Sequence, residues 1–386
     1  MPVPKSASPA TPRFAILIPE ETVVRAQEYL EQLRAGRLQP GARLRDGLNA
    51  SLADSMTATE LLGNLVDTKL PQIFAETAVY GDGSDWNLTE LGLLGDISMA
   101  VPVTLYDNGN HRSPTPHEPP FRGMLLFTPG ALLRNGQQCT PADWDEVTTS
   151  EGGFSTEGYY NLYRRRLLPV LRYIDRHAGS PRSALVTIPG LGCGQFAGPY
   201  LRQLGNRLRT VLQRLLTEHG ASLPNLKAIY FDPYSECRNA RVEVEGISFM
   251  VRPLLQPGND WKSQLCRPTA YEEEGDDFSG CSLYSLVAWD PVSWPGNDFF
   301  EGSRCTDDGV KAAASDSMSV LTGIEGAYDA RVGMYQPPHP HRDWNAVVEE
   351  GKLRRNLRLW NPAAVWRSTS SAPCPAAPLI LNTGVG

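Results

Sequence analysis

The chain has 386 residues and a formal charge of −7. That length suits one large domain, or a domain with an extension, and the charge argues against a nucleic-acid-coating surface. No apolar run approaches membrane-spanning length, and no apolar signal core follows the N-terminus. Seven cysteines, Cys139, Cys193, Cys237, Cys266, Cys281, Cys305 and Cys374, form no CxxC pair. Neither a zinc site nor a disulfide framework is therefore indicated, and a reducing cytosol, the producer's own or a host's, is the expected setting.

Residues 1–13 are rich in Pro, Ser and Ala and read as disordered. Residues 14–18 are a short apolar anchor. Glu20 to Ala35 has helical spacing, with Val23, Val24, Tyr29, Leu30 and Leu33 available for burial. A second helix is expected from Thr57, whose spacing to Glu60 fits a capping box, and Pro71 should end or kink it. Together with the loop over 111–120, these elements make 14–120 a mostly helical N-terminal region that covers a sheet or meets a partner. His111 and His117 lie in that loop without metal-ligand spacing, and solvated loop histidines are the commoner case.

Residues 123–129 read as a strand, and a helix ending near Ala178 follows the Gly152-Gly153-Phe154 stretch. Its Arg164-Arg165-Arg166 run reads as a solvated basic face. Residues 184–188 are a β-rich apolar run, followed at once by Pro189-Gly190-Leu191-Gly192-Cys193-Gly194-Gln195-Phe196-Ala197-Gly198. A helix is expected from about Tyr200 to His219, with Pro199 in its first turn and Gly220 at its end. Residues 227–231 form the next strand. A glycine-rich turn feeding a helix N-terminus inside a βαβ unit offers backbone amides to an anion. The loop lacks the Gly-Lys-Ser/Thr ending of a P-loop, and its glycine spacing is not the dinucleotide fingerprint.

Residues 246–251 are a further strand candidate, and 271–277 an acidic loop. The apolar run 283–289 then suits a buried strand that stops at Asp290-Pro291. A loop with Pro295, Gly296 and Gly302 follows and carries Asp290, Asp298, Glu301, Asp307 and Asp308. A helix starts near Val310, with Asp307 or Asp308 placed to cap it. Acids at the carboxyl end of a strand stand where open α/β sheets bind ligands, although turn and cap roles account for most such residues. Residues 343–359 have helical character, and 368–386 read as a low-complexity tail.

The glycine stretch over 188–198 resembles the diphosphate loop of macrodomains, the ADP-ribose-binding fold. Residues 287–302 resemble the macrodomain loop around the distal ribose. Asp307-Asp308 falls where poly(ADP-ribose) glycohydrolase-type macrodomains carry paired glutamates, and the spacing of Asp290, Asp298 and Asp308 is similar to that of atypical MavL-type bacterial effectors, which are ADP-ribosyl hydrolases. The resemblance implies an α/β fold: a three-layer α/β/α mixed sheet over 121–345. The sheet is permuted, because the phosphate loop precedes the ribose loop. The helical N-terminal region precedes this domain, and a C-terminal helix and tail cover 346–386. It further implies that Gly190, Gly192, Cys193, Gly194, Gln195, Phe196, Gly296, Asn297 and Phe299 bind ADP-ribose. Residues 323–328 would close over the ribose. Asp298 and Asp308, assisted by Asp290 and Asp307, would hydrolyse the bond at the anomeric carbon, where the transition state is oxocarbenium-like. No cofactor or metal is implied. The partners implied are ADP-ribose and an ADP-ribosylated protein, arginine-linked and on ubiquitin by analogy with the MavL type. Two rival readings are an ADP-ribose reader that cleaves nothing and a phosphoester hydrolase holding Mg²⁺ on Asp290, Asp298, Asp307 and Asp308.

Overall fold

The computed structural model describes residues 13–48, 55–259 and 262–368. The disorder expected over nearly all of 1–13 and the tail expected beyond 368 lie outside the described residues. Eleven strands are present among the described residues: β1 Ala15–Ile18, β2 Ser98–Asp107, β3 Pro116–Pro129, β4 Ala184–Pro189, β5 Leu226–Asp232, β6 Ala240–Val244, β7 Ile247–Val251, β8 Ser282–Trp289, β9 Ala327–Asp329, β10 Met334–Gln336 and β11 Val365–Arg367. Nine of them form one sheet in the order β11-β1-β2-β3-β8-β4-β5-β7-β6, and β9 and β10 form a separate antiparallel pair. The middle of the large sheet, β3-β8-β4-β5-β7, is parallel throughout.

Parallel strands are covered on both faces, so they read as continuous apolar runs rather than as alternating ones. That explains the sequences Ala-Leu-Val-Thr-Ile of β4 and Leu-Tyr-Ser-Leu-Val-Ala-Trp of β8. Their side chains divide by the strand period of two. Leu125, Phe127, Leu283 and Val287 join one core, while Met124, Leu126, Tyr284 and Leu286 join the other. Helices Glu20–Arg34, Ala58–Val66, Leu88–Gly95 and Asp307–Ala313 cover the first face. Helices Thr156–Ala178 and Leu204–His219 cover the second. The result is the three-layer α/β/α arrangement with a mixed sheet.

The segment 14–120 is helical over much of its length, but it also supplies β1 and β2 to the same sheet, and 346–368 supplies β11. Thr57 and Glu60 form the expected capping box. The basic run on Thr156–Ala178 is not a solvated face, because Arg165 and Arg166 are buried. Asp96, itself 1% exposed, receives Thr22 Oγ1 at 3.0 Å, Arg165 Nε at 2.9 Å and Arg166 Nε at 3.2 Å, and also pairs with Arg25. Arg166 donates as well to Asp143 at 2.7 Å and to the Gly130 carbonyl at 2.8 Å. A buried guanidinium needs partners for all its donors, and here two acids and a carbonyl supply them. The acidic loop over 271–277 is also engaged: Glu273 and Asp276 pair with Arg241, and Glu273 with Arg252.

Candidate functional site

The loops leaving the carboxyl ends of β4, β5 and β8 meet at one end of the sheet. β8 and β5 flank β4, and the chain reaches them from opposite directions in the topology, which opens a crevice between the loops. The crevice is a cleft of about 700 Å³ lined by both sequence-predicted loops.

The glycine loop follows β4. Gly192 has φ +69°, and a Cβ there would stand 2.8 Å from the Ala131 amide, so glycine is required where this loop presses on the segment after β3. Tyr163 stitches the two together by donating to the Leu191 carbonyl at 2.6 Å and accepting from the Ala131 amide at 3.1 Å. The Leu133 amide donates to the Phe196 carbonyl at 2.9 Å. Among the described residues, no acceptor takes the amides of Gly192, Gly194, Gln195 and Phe196. Such a run of unspent N–H groups is what a phosphate cradle consists of.

One expectation needs correction. The loop does not lead straight into a helix. A 3₁₀ segment, Gln195–Tyr200, intervenes with Gly198 at φ 52°, and the α-helix begins at Leu204. The Gly205 amide in the first turn of that helix donates to Glu236 at 3.0 Å. The helix N-terminus is therefore already neutralised by a carboxylate, and on this loop the capacity to bind an anion rests on the amides that precede the helix.

The acidic loop follows β8, and its four aspartates do different things. Asp290 accepts the amides of Val292 at 2.8 Å and Ser293 at 2.7 Å, and the Ser293 hydroxyl at 2.5 Å. Burial pushes its carboxyl up, and those hydrogen bonds together with Lys69 pull it part of the way back. Lys69 lies 4.1 Å over the Trp289 ring and donates to the Pro291 carbonyl. Burial pulls its ammonium down to about 7, against the attraction of Asp290. Asp308 accepts the amides of Gly296 at 2.7 Å and Asn297 at 2.9 Å. Burial, reinforced by Asp290 and Asp298, holds its carboxyl well above the usual range despite those two donors. Asp307 accepts the Ala288 amide at 2.8 Å and the buried Lys311 ammonium at 3.0 Å. Lys311 also donates to Gln264 at 2.7 Å, and Gln264 in turn donates to Asp232 at 3.0 Å. Asp298 differs from the other three. It is 6% exposed and lines the cleft, and among the described residues no donor reaches its carboxylate.

The cap of helix Asp307–Ala313 is not an aspartate. Thr306 accepts the Gly309 amide at 3.2 Å, which releases both acids to face the β8 loop. Of the ligand-binding candidates, Gly190, Gly192, Cys193, Gly194, Gln195, Phe196 and Asn297 line the cleft, as do Asp290, Asp298, Asp307 and Asp308. Gly296 and Phe299 do not line it. Gly296 makes a turn at φ +89°, and Phe299 is buried in the core. Residues 323–328 do not line it either, since Tyr328 stacks on Tyr106 and donates to Asp107 at 2.8 Å.

Sequence reasoning missed the part played by 69–76. Leu70 exchanges backbone hydrogen bonds with Val292 at 2.9 Å and Trp294 at 2.6 Å. The Asn297 side chain accepts the Ile73 amide at 2.8 Å and donates to the Ile73 carbonyl at 2.9 Å. Phe74 and Glu76 thereby come to line the cleft. No local pattern marks this segment. Lys311, in contrast, stands four residues after Asp307, a helical ion-pair spacing readable from the sequence. Among the described residues, no group of three or more His, Cys, Asp or Glu side chains is arranged to hold a metal ion.

The family model described as macrodomain effector MavL matches residues 14–341. No curated protein matches the chain.

Proposed function

This chain belongs to the MavL macrodomain effector family, and from that premise we propose that it is a hydrolase that removes ADP-ribose from a modified protein side chain. ADP-ribose is the ligand a macrodomain implies. The observation that carries the hydrolytic reading is the Asp298 carboxylate, buried in the cleft without a donor, in the same cleft as the unspent amides of the glycine loop. The amides of Gly192, Gly194, Gln195 and Phe196 would hold the diphosphate. Small residues there let the backbone approach it closely. The distal ribose would then lie against the β8 loop, with its hydroxyls donating to carboxylates.

In this reading a water molecule attacks the anomeric carbon. Its oxygen forms the new C–O bond, its proton passes to Asp298, and the bond to the protein side chain breaks with its electron pair leaving on the heteroatom. Asp298 also stabilises the positive charge that builds on the sugar. The other three acids serve it. Asp290 and Asp308 spend their oxygens on amides of the loop and fix its shape. Asp307, paired with Lys311, is the acid most available to the ribose hydroxyls. The same use of Asp290 and Asp308 weighs against a Mg²⁺-holding cluster. An arginine linkage, ubiquitin as the carrier and a cytosolic site of action belong to the same proposal.

The test is release of ADP-ribose from arginine-, glutamate- and serine-linked protein substrates by the wild type and by Asp298→Asn. Release from at least one linkage, lowered at least about 100-fold in the variant, is expected. Tight ADP-ribose binding without release from any linkage would make the protein a reader instead.

A further inference from the structure

Glu76 lines both of two neighbouring cavities. The main cleft adjoins a second one of about 530 Å³, and both are lined by Glu76, Arg134 and Gly198. The wall of the second is mixed, with Asn135, Gln137 and Thr140 beside Leu133, Pro141 and Trp144, as suits a polypeptide with both polar and apolar groups. Glu76 rides on the short helix Ala75–Ala78, whose entry is fixed by the two hydrogen bonds between Asn297 and Ile73. Asn297 adjoins Asp298, so the two carboxyls are carried by segments that are bonded together. Glu76 feels the charges of Asp290 and Asp298 on one side and of Arg134 on the other. Among the described residues its own amide is the one donor to it. Two carboxyls lining one cleft supply the two groups that an acid- and base-assisted cleavage needs. The buried, donor-free Asp298 is the independent sign that the pair faces a ligand rather than solvent.

We propose that Glu76 is the general acid of the reaction, protonating the atom that leaves the anomeric carbon, and that the second cleft takes the polypeptide to which this atom belongs. The inference rests on the hydrolase reading above. Its step balances. Water supplies the oxygen for the new bond and gives one proton to Asp298. The bond from the anomeric carbon to the leaving nitrogen or oxygen breaks with its electron pair on that atom. Glu76 gives the proton that neutralises it and becomes a carboxylate. A proton returned from Asp298 to Glu76 through solvent restores the starting state. Burial pushes the Glu76 carboxyl up, and the negative charges of Asp290 and Asp298 add to this. The Glu76 amide and Arg134 oppose it. Glu76 therefore keeps its proton to a higher pH than an ordinary glutamate, as an acid catalyst near neutrality must.

The experiment compares wild type and Glu76→Gln on two substrates: an ADP-ribosylated protein, and ADP-ribose carrying a nitrophenolate leaving group that needs no proton. ADP-ribose affinity is measured alongside. The variant should lose at least about 100-fold in turnover on the protein and less than about tenfold on the nitrophenyl compound, with its ADP-ribose affinity within about twofold of wild type. The wild-type rate should fall at alkaline pH, and in the variant that fall should be absent. Equal losses on both substrates, or an unchanged rate on the protein, would overturn the role of Glu76. A wild type inactive on both substrates would instead overturn the hydrolase reading on which the inference stands.

Discussion

Arg166→Met gives a stability test that can be worked out from individual contacts. Arg166 is 1% exposed. It spends its donors on Asp143 at 2.7 Å, Asp96 at 3.2 Å and the Gly130 carbonyl at 2.8 Å. Methionine keeps most of the aliphatic stem, so little cavity forms, and the loss is electrostatic. Asp96 would still have Thr22, Arg25 and Arg165, and Asp143 would keep the Leu132 amide at 2.7 Å. The Gly130 carbonyl would be left bare, and Asp143 would lose its cation. Removing one partner of a buried ion pair costs about 3–5 kcal/mol, a large part of the roughly 5–15 kcal/mol that holds a domain together. In urea the unfolding midpoint should fall by that free energy divided by the slope, with the slope itself unchanged. ADP-ribose affinity should fall as well, because a Cβ on Gly130 would lie only 2.2 Å from the Gly192 amide and the two segments move together. A loss below about 1 kcal/mol, the worth of an exposed pair, would refute the reasoning.

The same network sets an acid limit. Burial alone pushes the Asp96 carboxyl up, but Arg165, Arg25 and Arg166 outweigh it and hold the group below its ordinary value. Its contribution is present above the pKa of an unfolded aspartate and is lost as pH falls through the lower folded value. Asp96→Asn should therefore flatten the acid side of a plot of stability against pH, and an unchanged profile would count against this. Asn297→Ala removes both bonds to Ile73 and should raise hydrogen exchange over 69–76 while sparing the central strands. Thr306→Ala removes the cap of helix Asp307–Ala313 and should cost about 1 kcal/mol in stability. It should also slow hydrolysis, since Asp307 and Asp308 depend on that first turn. Stability lost without any change in rate would separate the cap from the site.

Much of the central sheet was legible because its strands are short apolar runs bounded by Gly and Pro, and β4 and β8 announce their loops directly. The capping box at Thr57 was legible for the same reason, since its signal lies within four residues. What could not be read depends on contacts distant in sequence. Arg165 and Arg166 look like a solvated basic face until Asp96, some seventy positions earlier, is placed against them. Glu76 has no local mark and reaches the cleft through Asn297. The resemblance placed Asp298 and Asp308 ahead of Asp290 and Asp307, but the loop amides, which the sequence does not show, decide which of them are spent. Asp290 and Asp308 are spent and Asp298 is not. The helix after the glycine loop looked ready for phosphate, yet Glu236 from after β5 had already taken its first turn. The MavL-type resemblance was carried by the two loops, whose strands the parallel sheet sets side by side.

The most direct measurement is a calorimetric titration of ADP-ribose into the wild type and into Gly194→Glu. A Cβ at Gly194 meets no atom within 4 Å, so the variant should fold as the wild type does and place its carboxylate among the loop amides, where the diphosphate belongs. Binding by the wild type that is weakened at least about 100-fold in the variant, a change of about 2.7 kcal/mol, is the predicted result. A folded wild type that does not bind ADP-ribose, or a variant that binds it equally well, would contradict the assignment of this cleft.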